Sequence, residues 1–260
     1  MRTRHSPRGQ AGWTIVSLMV GLLVSLLVIL SMLSLFRVVA ANVVGNNGMQ
    51  PTAAQDRQIA TALLSVQTLL QNAGYGYAPQ AAHNSQFVLV TGAQKTVIST
   101  PASDLLGSTM AGTSTIKVNG TLQSISSGVV TLPLTANPAN AMFWETAGST
   151  VPATAATAQC YGLLSDSSAT NALYLLQASG SCSPVSGNWN TTTWTVTPLV
   201  TGGLLNGPVM FNAQETTCWP YSTLVGASAP AGLYVQLSWS TNTSANASLS
   251  SWSSCLPNIS

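Results

Sequence analysis

Residues 9–30 read GQAGWTIVSLMVGLLVSLLVIL, and no charged side chain occurs anywhere in 9–36. From Trp13 to Phe36 the sequence is almost continuously apolar. As a helix, 13–36 is about 36 Å long at ~1.5 Å per residue, which is long enough to cross a bilayer. A short basic leader precedes it, with Arg2, Arg4 and Arg8. By the positive-inside rule, the leader stays in the cytoplasm and the rest of the chain lies outside.

Three kinds of N-terminal segment fit this pattern. A cleaved secretory signal has an apolar core of about 7–15 residues with a small-residue cleavage site behind it. This segment is longer, although Val39-Ala40-Ala41 resembles such a site. A signal anchor needs only the apolar helix. In the third kind, the cut falls in front of the apolar helix rather than after it, and a glycine such as Gly12 suits such a cut since it lets the backbone enter a protease cleft closely.

The stretch from Gly12 to Val20, GWTIVSLMV, resembles the class III signal of type IV pilins and pseudopilins. In that family a membrane peptidase cuts after the glycine, and the new N-terminal residue is N-methylated. The resemblance therefore implies cleavage between Gly12 and Trp13 and methylation of Trp13. It also implies a helix that first anchors the subunit and later packs in the core of a fibre.

One position departs from the family pattern. The fifth mature residue is normally Glu, and here it is Ser17. The family's Glu pairs with the N-terminal amine of an adjacent subunit, since a charge in lipid needs a partner. Ser17 cannot form that pair, which leaves a tip or initiator subunit, a pilin with weakened assembly, or an ordinary signal anchor.

A second helix is predicted over 52–73, after the helix-breaking Gly45-Asn46-Asn47-Gly48 and Pro51. Its apolar residues recur at helical spacing, namely Ile59, Leu63, Val66 and Leu70. Gly74 stands where a helix C-cap is expected.

Two further segments resemble PilW-like minor pilins. The first is LLQNAGYGYAP (69–79), which is similar to the end of the first helix in those proteins. The second is Cys160-Tyr161-Gly162, followed by NALYLLQASGSC, which ends at Cys182. The resemblance covers the first eighty residues and, more loosely, 160–215.

Beyond Gly74 the sequence consists of short apolar or alternating runs bounded by turn residues, which is typical of strands. These runs are 86–92, 114–120, 128–134, 171–177, 193–200, 207–213 and 233–240. Two polar segments, 145–159 and 241–254, are predicted to be surface loops.

The expected fold class is α+β and pilin-like. A long N-terminal helix, its first half membrane-spanning, packs on an antiparallel β-sheet head with a disulfide-tied C-terminal region. The predicted divisions are a prepilin leader (1–12), a transmembrane or fibre-core helix (13–44), a second helical segment (52–73) and a β-rich extracytoplasmic head (80–260).

The chain has four cysteines, and no two of them have CxxC spacing, which disfavours zinc and redox motifs. Behind a membrane segment, an oxidising compartment and two disulfides are expected. Three pairings exist. Those that close the shortest loops are favoured, namely Cys160–Cys182 and Cys218–Cys255.

The residues that an enzyme would need are few. Charged residues make up 5% of the chain, and His83 is the only histidine after the leader. His83, Asp104 and a serine could form a triad on paper, but no GxSxG motif supports it. His83 is expected in a loop, and Glu145 at a turn or interface. The sequence therefore predicts no catalytic, metal or cofactor site, and it has no basic stripe for nucleic acid.

Six tryptophans lie in the C-terminal half, namely Trp144, Trp189, Trp194, Trp219, Trp239 and Trp252. Core packing is the favoured interpretation, and a surface that binds sugar or a neighbouring subunit is the other.

These patterns together predict a non-enzymatic minor type IV pilin of PilW-like type that primes or caps pilus assembly. Its expected partners are the prepilin peptidase, other minor and major pilins, the inner-membrane assembly machinery and membrane lipid. Its expected location is the bacterial inner membrane, as a single-pass protein with an extracytoplasmic head, and then the pilus or cell surface. The alternative is a signal-anchored extracytoplasmic adhesin or sugar-binding module.

Overall fold

The computed structural model describes residues 15–44, 49–77, 81–99, 114–127, 138–148, 151–154, 156–166, 171–217, 231–240 and 249–259. The chain divides into two compact units, Met1–Ala54 and Gln55–Ser260.

The first unit is dominated by helix α1, Ile15–Val44. Its segment Ile15–Val39 has 25 residues and a mean hydropathy of 2.8, which makes it long and apolar enough to cross a membrane. Two of its serines donate their hydroxyls to carbonyls one turn back, Ser25 to Leu22 and Ser31 to Leu27, each at 2.9 Å. These bonds satisfy the two hydroxyl donors within the helix, so the serines cost little in lipid.

Helix α2, Met49–Gln71, begins three residues before the predicted start. Pro51 lies in its first turn, where the missing N–H would have had no helical partner. Within the second unit, one face of α2 is buried, with Ile59, Ala62, Val66 and Leu70 at its centre. The helix ends before Gly74, whose φ of +72° gives the left-handed cap expected there.

Six antiparallel strands close into a barrel in the order β1-β2-β6-β5-β4-β3. They are β1 Phe87–Ser99, β2 Thr115–Gln123, β3 Ala141–Ala147, β4 Ala158–Ser165, β5 Leu173–Ala178 and β6 Trp194–Val200. Three more strands form a separate antiparallel sheet, and these are β7 Met210–Thr217, β8 Ala231–Ser240 and β9 Leu249–Leu256. A one-turn helix, α3 Val185–Asn188, lies between β5 and β6.

The expected pilin-like α+β class, with a helix on an antiparallel sheet head, is therefore wrong. The head is a closed barrel with a second small sheet, and it is mostly β. The physical reason is that four of the barrel strands, β1, β3, β4 and β5, bury apolar side chains on both faces. In β1, Val88 and Val90 belong to one core, and the alternating Phe87 and Leu89 belong to another. A sheet covered on one side only would leave half of these side chains in water.

Along the barrel strands, inward side chains belong to one cluster, called the inner core. Outward side chains belong to a second cluster, called the outer core. The inner core contains side chains such as Phe143, Leu176 and Trp194. The outer core joins the outward side chains of the barrel to the buried face of α2 and to the inner face of the β7–β9 sheet. In this way a single barrel wall separates two apolar clusters.

Three strands were not predicted. β3 and β4 overlap the ends of the supposed loop 145–159, and β9 lies largely in the supposed loop 241–254. The predicted strand 128–134 lies outside the described residues.

Candidate functional site

The predicted processing site lies at the start of the chain. Gly12 and Trp13 fall outside the described residues, and Ser17 lies in the first turns of α1, where it is exposed. Every large apolar side chain between Ile15 and Val39 is at least 50% exposed in the chain. α1 is therefore an apolar rod with no polar face, as expected of a helix whose surroundings are lipid or other helices.

The predicted Cys160–Cys182 disulfide is present, and it joins the start of β4 to the loop between β5 and β6. Both cysteines are buried, with exposures of 1% and 0%. Cys255 is also disulfide-bonded. Its predicted partner, Cys218, lies outside the described residues.

The loop that carries Cys182 folds against one end of the barrel, and residues 179–193 are called the plug loop here. Its base is closed by Ser179, whose N–H and hydroxyl both donate to the Thr193 carbonyl at 3.1 and 2.9 Å. Val185 and Trp189 point into the inner core, where the Trp189 ring lies 5.8 Å from that of Phe143. The plug loop thus supplies part of the apolar filling of the barrel.

Glu145 lies at the contact between the plug loop and the barrel. It is completely buried in β3, where the sequence predicted a turn or an interface. One carboxylate oxygen accepts the Val185 N–H and the other accepts the Tyr77 hydroxyl. Burial and the adjacent Glu145 carboxylate raise the pKa of Tyr77 far above its usual range, so the phenol keeps its proton and remains a donor.

The segment after α2 runs beside β3 and provides Tyr77. The Gly74 N–H donates to the Glu145 carbonyl at 2.8 Å, and the Ala147 N–H donates to the Tyr75 carbonyl at 2.8 Å. The conspicuous NAGYGY sequence is therefore a strap that fastens α2 to the barrel. Because the carboxylate of Glu145 is occupied and shielded from solvent, this cluster holds the fold together and cannot reach a dissolved substrate.

A second polar cluster joins strands that are not neighbours in the barrel. Lys95 Nζ, on β1, lies 2.5 Å from Oδ2 of Asp166, which directly follows β4. The same Nζ donates a hydrogen bond to the Tyr174 hydroxyl, on β5, at 3.0 Å. Burial alone lowers the pKa of Lys95, but the bonds to Asp166 and Tyr174 outweigh it and raise that pKa above its ordinary value. Lys95 is therefore a charged strut and is poorly suited to act as a nucleophile, which must be unprotonated.

His83 is the residue on which an enzymatic interpretation depends. Its Nε2 lies 3.9 Å from Glu215 Oε2, and the two side chains are 22% and 27% exposed. Asp104, the other member of the hypothetical triad, lies outside the described residues. The residues described contain no cluster of three or more His, Cys, Asp or Glu side chains that could hold a metal ion. The pair His83 and Glu215 links the turn before β1 to strand β7.

The tryptophans that the structure describes lie in the cores. Trp144 and Trp194 are 0% exposed, Trp189 is 4% and Trp239 is 9%. Trp252 is partly buried against the outer core. Core packing, the favoured interpretation, is thus correct for these five, while Trp219 lies outside the described residues.

Sequence reasoning located the apolar helix and the disulfide but not the buried Glu145 cluster. Tyr77 and Glu145 are 68 positions apart, so no local pattern signals their contact.

Neither a protein-family model, nor a curated protein, nor a solved structure matches this chain significantly.

Proposed function

We propose that this chain is a membrane-anchored, non-enzymatic subunit of the type IV pilin superfamily, a minor pilin of PilW-like type. In this proposal a prepilin peptidase cuts after Gly12, Trp13 becomes the methylated N-terminus, and α1 holds the subunit in the bacterial inner membrane. The head is extracytoplasmic. The subunit then joins other pilins through α1 and primes or caps a fibre.

The observation that carries the proposal is the combination of a basic leader ending in Gly12 with the apolar rod directly behind it. The exposure of α1 on all sides supports a role as anchor and packing element. Sister helices offer the same apolar contacts as lipid, so a helix of this kind can move from bilayer to fibre without exposing its surface to water. The buried Cys160–Cys182 disulfide fits an oxidising compartment.

A signal-anchored binding module is the second candidate, and one observation favours it. The head is a closed barrel, which differs from the sheet head of the pilin family. In contrast, the burial of the described tryptophans removes the feature that suggested sugar binding. The two candidates differ in how the N-terminus is processed, so the test is placed there.

The deciding measurement is the intact mass of the membrane-extracted protein from cells with and without a prepilin peptidase. We expect loss of residues 1–12 and gain of one methyl group only when the peptidase is present. A Gly12→Val variant should remain uncut, because a side chain at that position obstructs close entry of the backbone into the protease cleft. Gly9→Val, in the same leader, is the matched control and should be cut normally.

Two results would contradict the proposal. A mature protein that still begins at Met1 identifies a signal anchor. A mature protein that begins beyond α1 identifies a cleaved secretory signal.

A further inference from the structure

The sheet formed by β7, β8 and β9 has two edges of different kinds. On the β7 side, Phe211 exchanges two backbone hydrogen bonds with Ala139, at 2.9 and 2.8 Å, and Glu215 forms a bridge with Ser127. On the other side, β8 is the only described strand that pairs with β9. In the part of the chain that the structure describes, the outer edge of β9 over 249–254 is therefore not covered by a second strand.

β9 also lacks the features by which proteins keep an exposed edge from pairing. Such edges usually carry a lysine, a proline or a bulge. Elsewhere in the head, β2 carries the exposed Lys117, and β6 carries the exposed Pro198, which has no N–H to donate. β9 reads LSSWSSCL, without charge or proline, and its eight residues pair with β8 in one unbroken register. It is therefore a regular, uncharged edge that can accept another strand.

The side chains of β9 indicate which strand fits this edge. Ser250, Trp252 and Ser254 lie opposite core residues of β8, yet each of the three is only partly buried. Ser251 and Ser253, on the other face, are exposed. The outer core is thus bounded at this edge by one tryptophan between two serines, and an added strand would shield the tryptophan ring from water.

The sequence of β9 is symmetric about Trp252, which has two serines on each side. Directly opposed residues of antiparallel strands point to the same face of a sheet, so pairing must keep the inward side chains opposite one another. Antiparallel pairing with β9 of a second copy, centred on Trp252, meets this condition. The opposed pairs are then Trp252 with the partner's Trp252, Ser250 with the partner's Ser254, and Ser251 with the partner's Ser253.

We propose that β9 is a self-association edge, through which two copies of this chain pair antiparallel and join their three-stranded sheets into one continuous sheet. Since β9 carries no charge, two copies meet there without repulsion. The pairing buries the two Trp252 rings against each other and gives backbone partners to both edges at once. Because β9 lies in the head, the inference goes beyond the proposed function and holds for either way of processing the N-terminus.

The first test cross-links the full-length protein in isolated membranes. Chains with Ser251→Cys and chains with Ser253→Cys carry different affinity tags and are produced together. The described native cysteines are all disulfide-bonded, so they do not compete for a thiol reagent. Opposed Cβ atoms lie about 4.5–5.5 Å apart. We therefore expect a short thiol cross-linker to join the two kinds of chain several-fold more than it joins like chains. Asn119→Cys with Thr121→Cys, at two exposed positions on β2, is the matched control and should give no cross-linked dimer.

The second test asks whether β9 itself causes the association. Ser253→Lys adds a lysine that guards the edge, and the two lysines of a pair would lie close together. We expect the dimer that light scattering measures in detergent micelles to be lost. Ser253→Thr keeps the hydroxyl, favours strands and should remain dimeric. Because Ser253 is exposed, neither variant should alter the unfolding midpoint of the head.

Four results would overturn the inference. A wild-type protein that is monomeric in micelles lacks the association. Cross-linking of like chains only places the twofold axis at another residue than Trp252. Equal cross-linking on β2 and β9 shows chance encounters in the membrane. A dimer that survives Ser253→Lys is held by another surface, such as α1.

Discussion

α1 and the barrel are both poor in charged residues, yet their apolar side chains differ greatly in how far they are exposed. In α1 the large apolar residues from Ile15 to Val39 are 50–79% exposed, whereas in the barrel Phe143, Trp144 and Trp194 are 0% exposed. A helix satisfies its backbone internally, so it can present an apolar surface to lipid without further structure. A strand must find partners for both its backbone and its side chains, and the barrel supplies both.

A low content of charged residues therefore has different consequences in the two regions. We therefore expect a substitution in α1 to change the interaction with the surroundings and to leave the head intact. A substitution in the barrel acts on the head and leaves the anchor intact.

The largest expected effect comes from a pair of phenylalanines, one in each region. Phe143→Ala empties the centre of the inner core, where its ring lies 4.9 Å from Trp194, and should lower the free energy of unfolding of the head by about 3–5 kcal/mol. Phe36→Ala, at a residue 69% exposed in α1, should change that free energy by less than about 0.5 kcal/mol. Urea unfolding followed by tryptophan fluorescence measures both. Equal effects would show that the two regions are not independent.

The converse test introduces a charged residue into α1. Leu27→Arg places a cation near the middle of Ile15–Val39, at an apparent cost of insertion of about 2.5–3.5 kcal/mol. The fraction of the protein that resists carbonate extraction from membranes should fall, while the disulfide-bonded head should keep its unfolding midpoint. Leu27→Ile is the control and should behave as wild type. Unchanged membrane retention of the arginine variant would mean that α1 does not lie in lipid.

The difference between the regions also explains what could be predicted from the sequence. α1 is defined by a local property, a long run without charge, and it needs no knowledge of distant residues. The fold class of the head depends on which strands pair and on whether the sheet closes into a barrel. The strand contacts that decide this join residues far apart in sequence. In β9 the inward positions include Ser250 and Ser254 beside Trp252, so the alternation of apolar and polar residues was too weak to indicate a strand.

The Cys160-Tyr161-Gly162 sequence also contains a residue whose role depends on a contact with a distant part of the chain. It resembles a PilW-like sequence, but its physical role lies in a cross-strand contact. Gly162 of β4 pairs with Phe143 of β3, and a methyl group on Gly162 would meet the Phe143 ring. The glycine therefore makes room for the Phe143 ring on the neighbouring strand. No pattern within β4 alone could have indicated this.

A substitution of that glycine tests the barrel with a smaller effect. Gly162→Ala should destabilise the head by about 1–3 kcal/mol, because the added methyl group overpacks a filled core. Gly180→Ala is the matched control, since nothing lies within 4 Å of the position that its Cβ would occupy, and it should change stability by less than about 0.5 kcal/mol. Denaturation midpoints of the two variants measure the difference. A neutral Gly162→Ala would mean that Phe143 does not lie against β4.

The smallest expected effect concerns the strut formed by Lys95, and it depends on pH. The pKa of Lys95 is raised in the folded head above its ordinary value of 10.5. The protonated lysine therefore favours the folded state, so this contribution is complete below pH 10.5 and is lost as the pH rises through the folded-state pKa. Because the Lys95 side chain is partly exposed, the ion pair with Asp166 should contribute less than about 1 kcal/mol.

Lys95→Met should then lower the unfolding free energy at about pH 9, and the deficit relative to wild type should shrink toward about pH 12 as the wild-type lysine loses its charge. Lys117→Met, at an exposed lysine on the neighbouring strand β2, controls for the loss of a positive charge from the head and should change the unfolding free energy by less than about 0.5 kcal/mol. A deficit that stays constant over this range would assign the role of Lys95 to packing of its aliphatic stem against Tyr174. Because residues 15–44 contain no lysine, tyrosine or cysteine, the pH dependence in this range does not arise from α1.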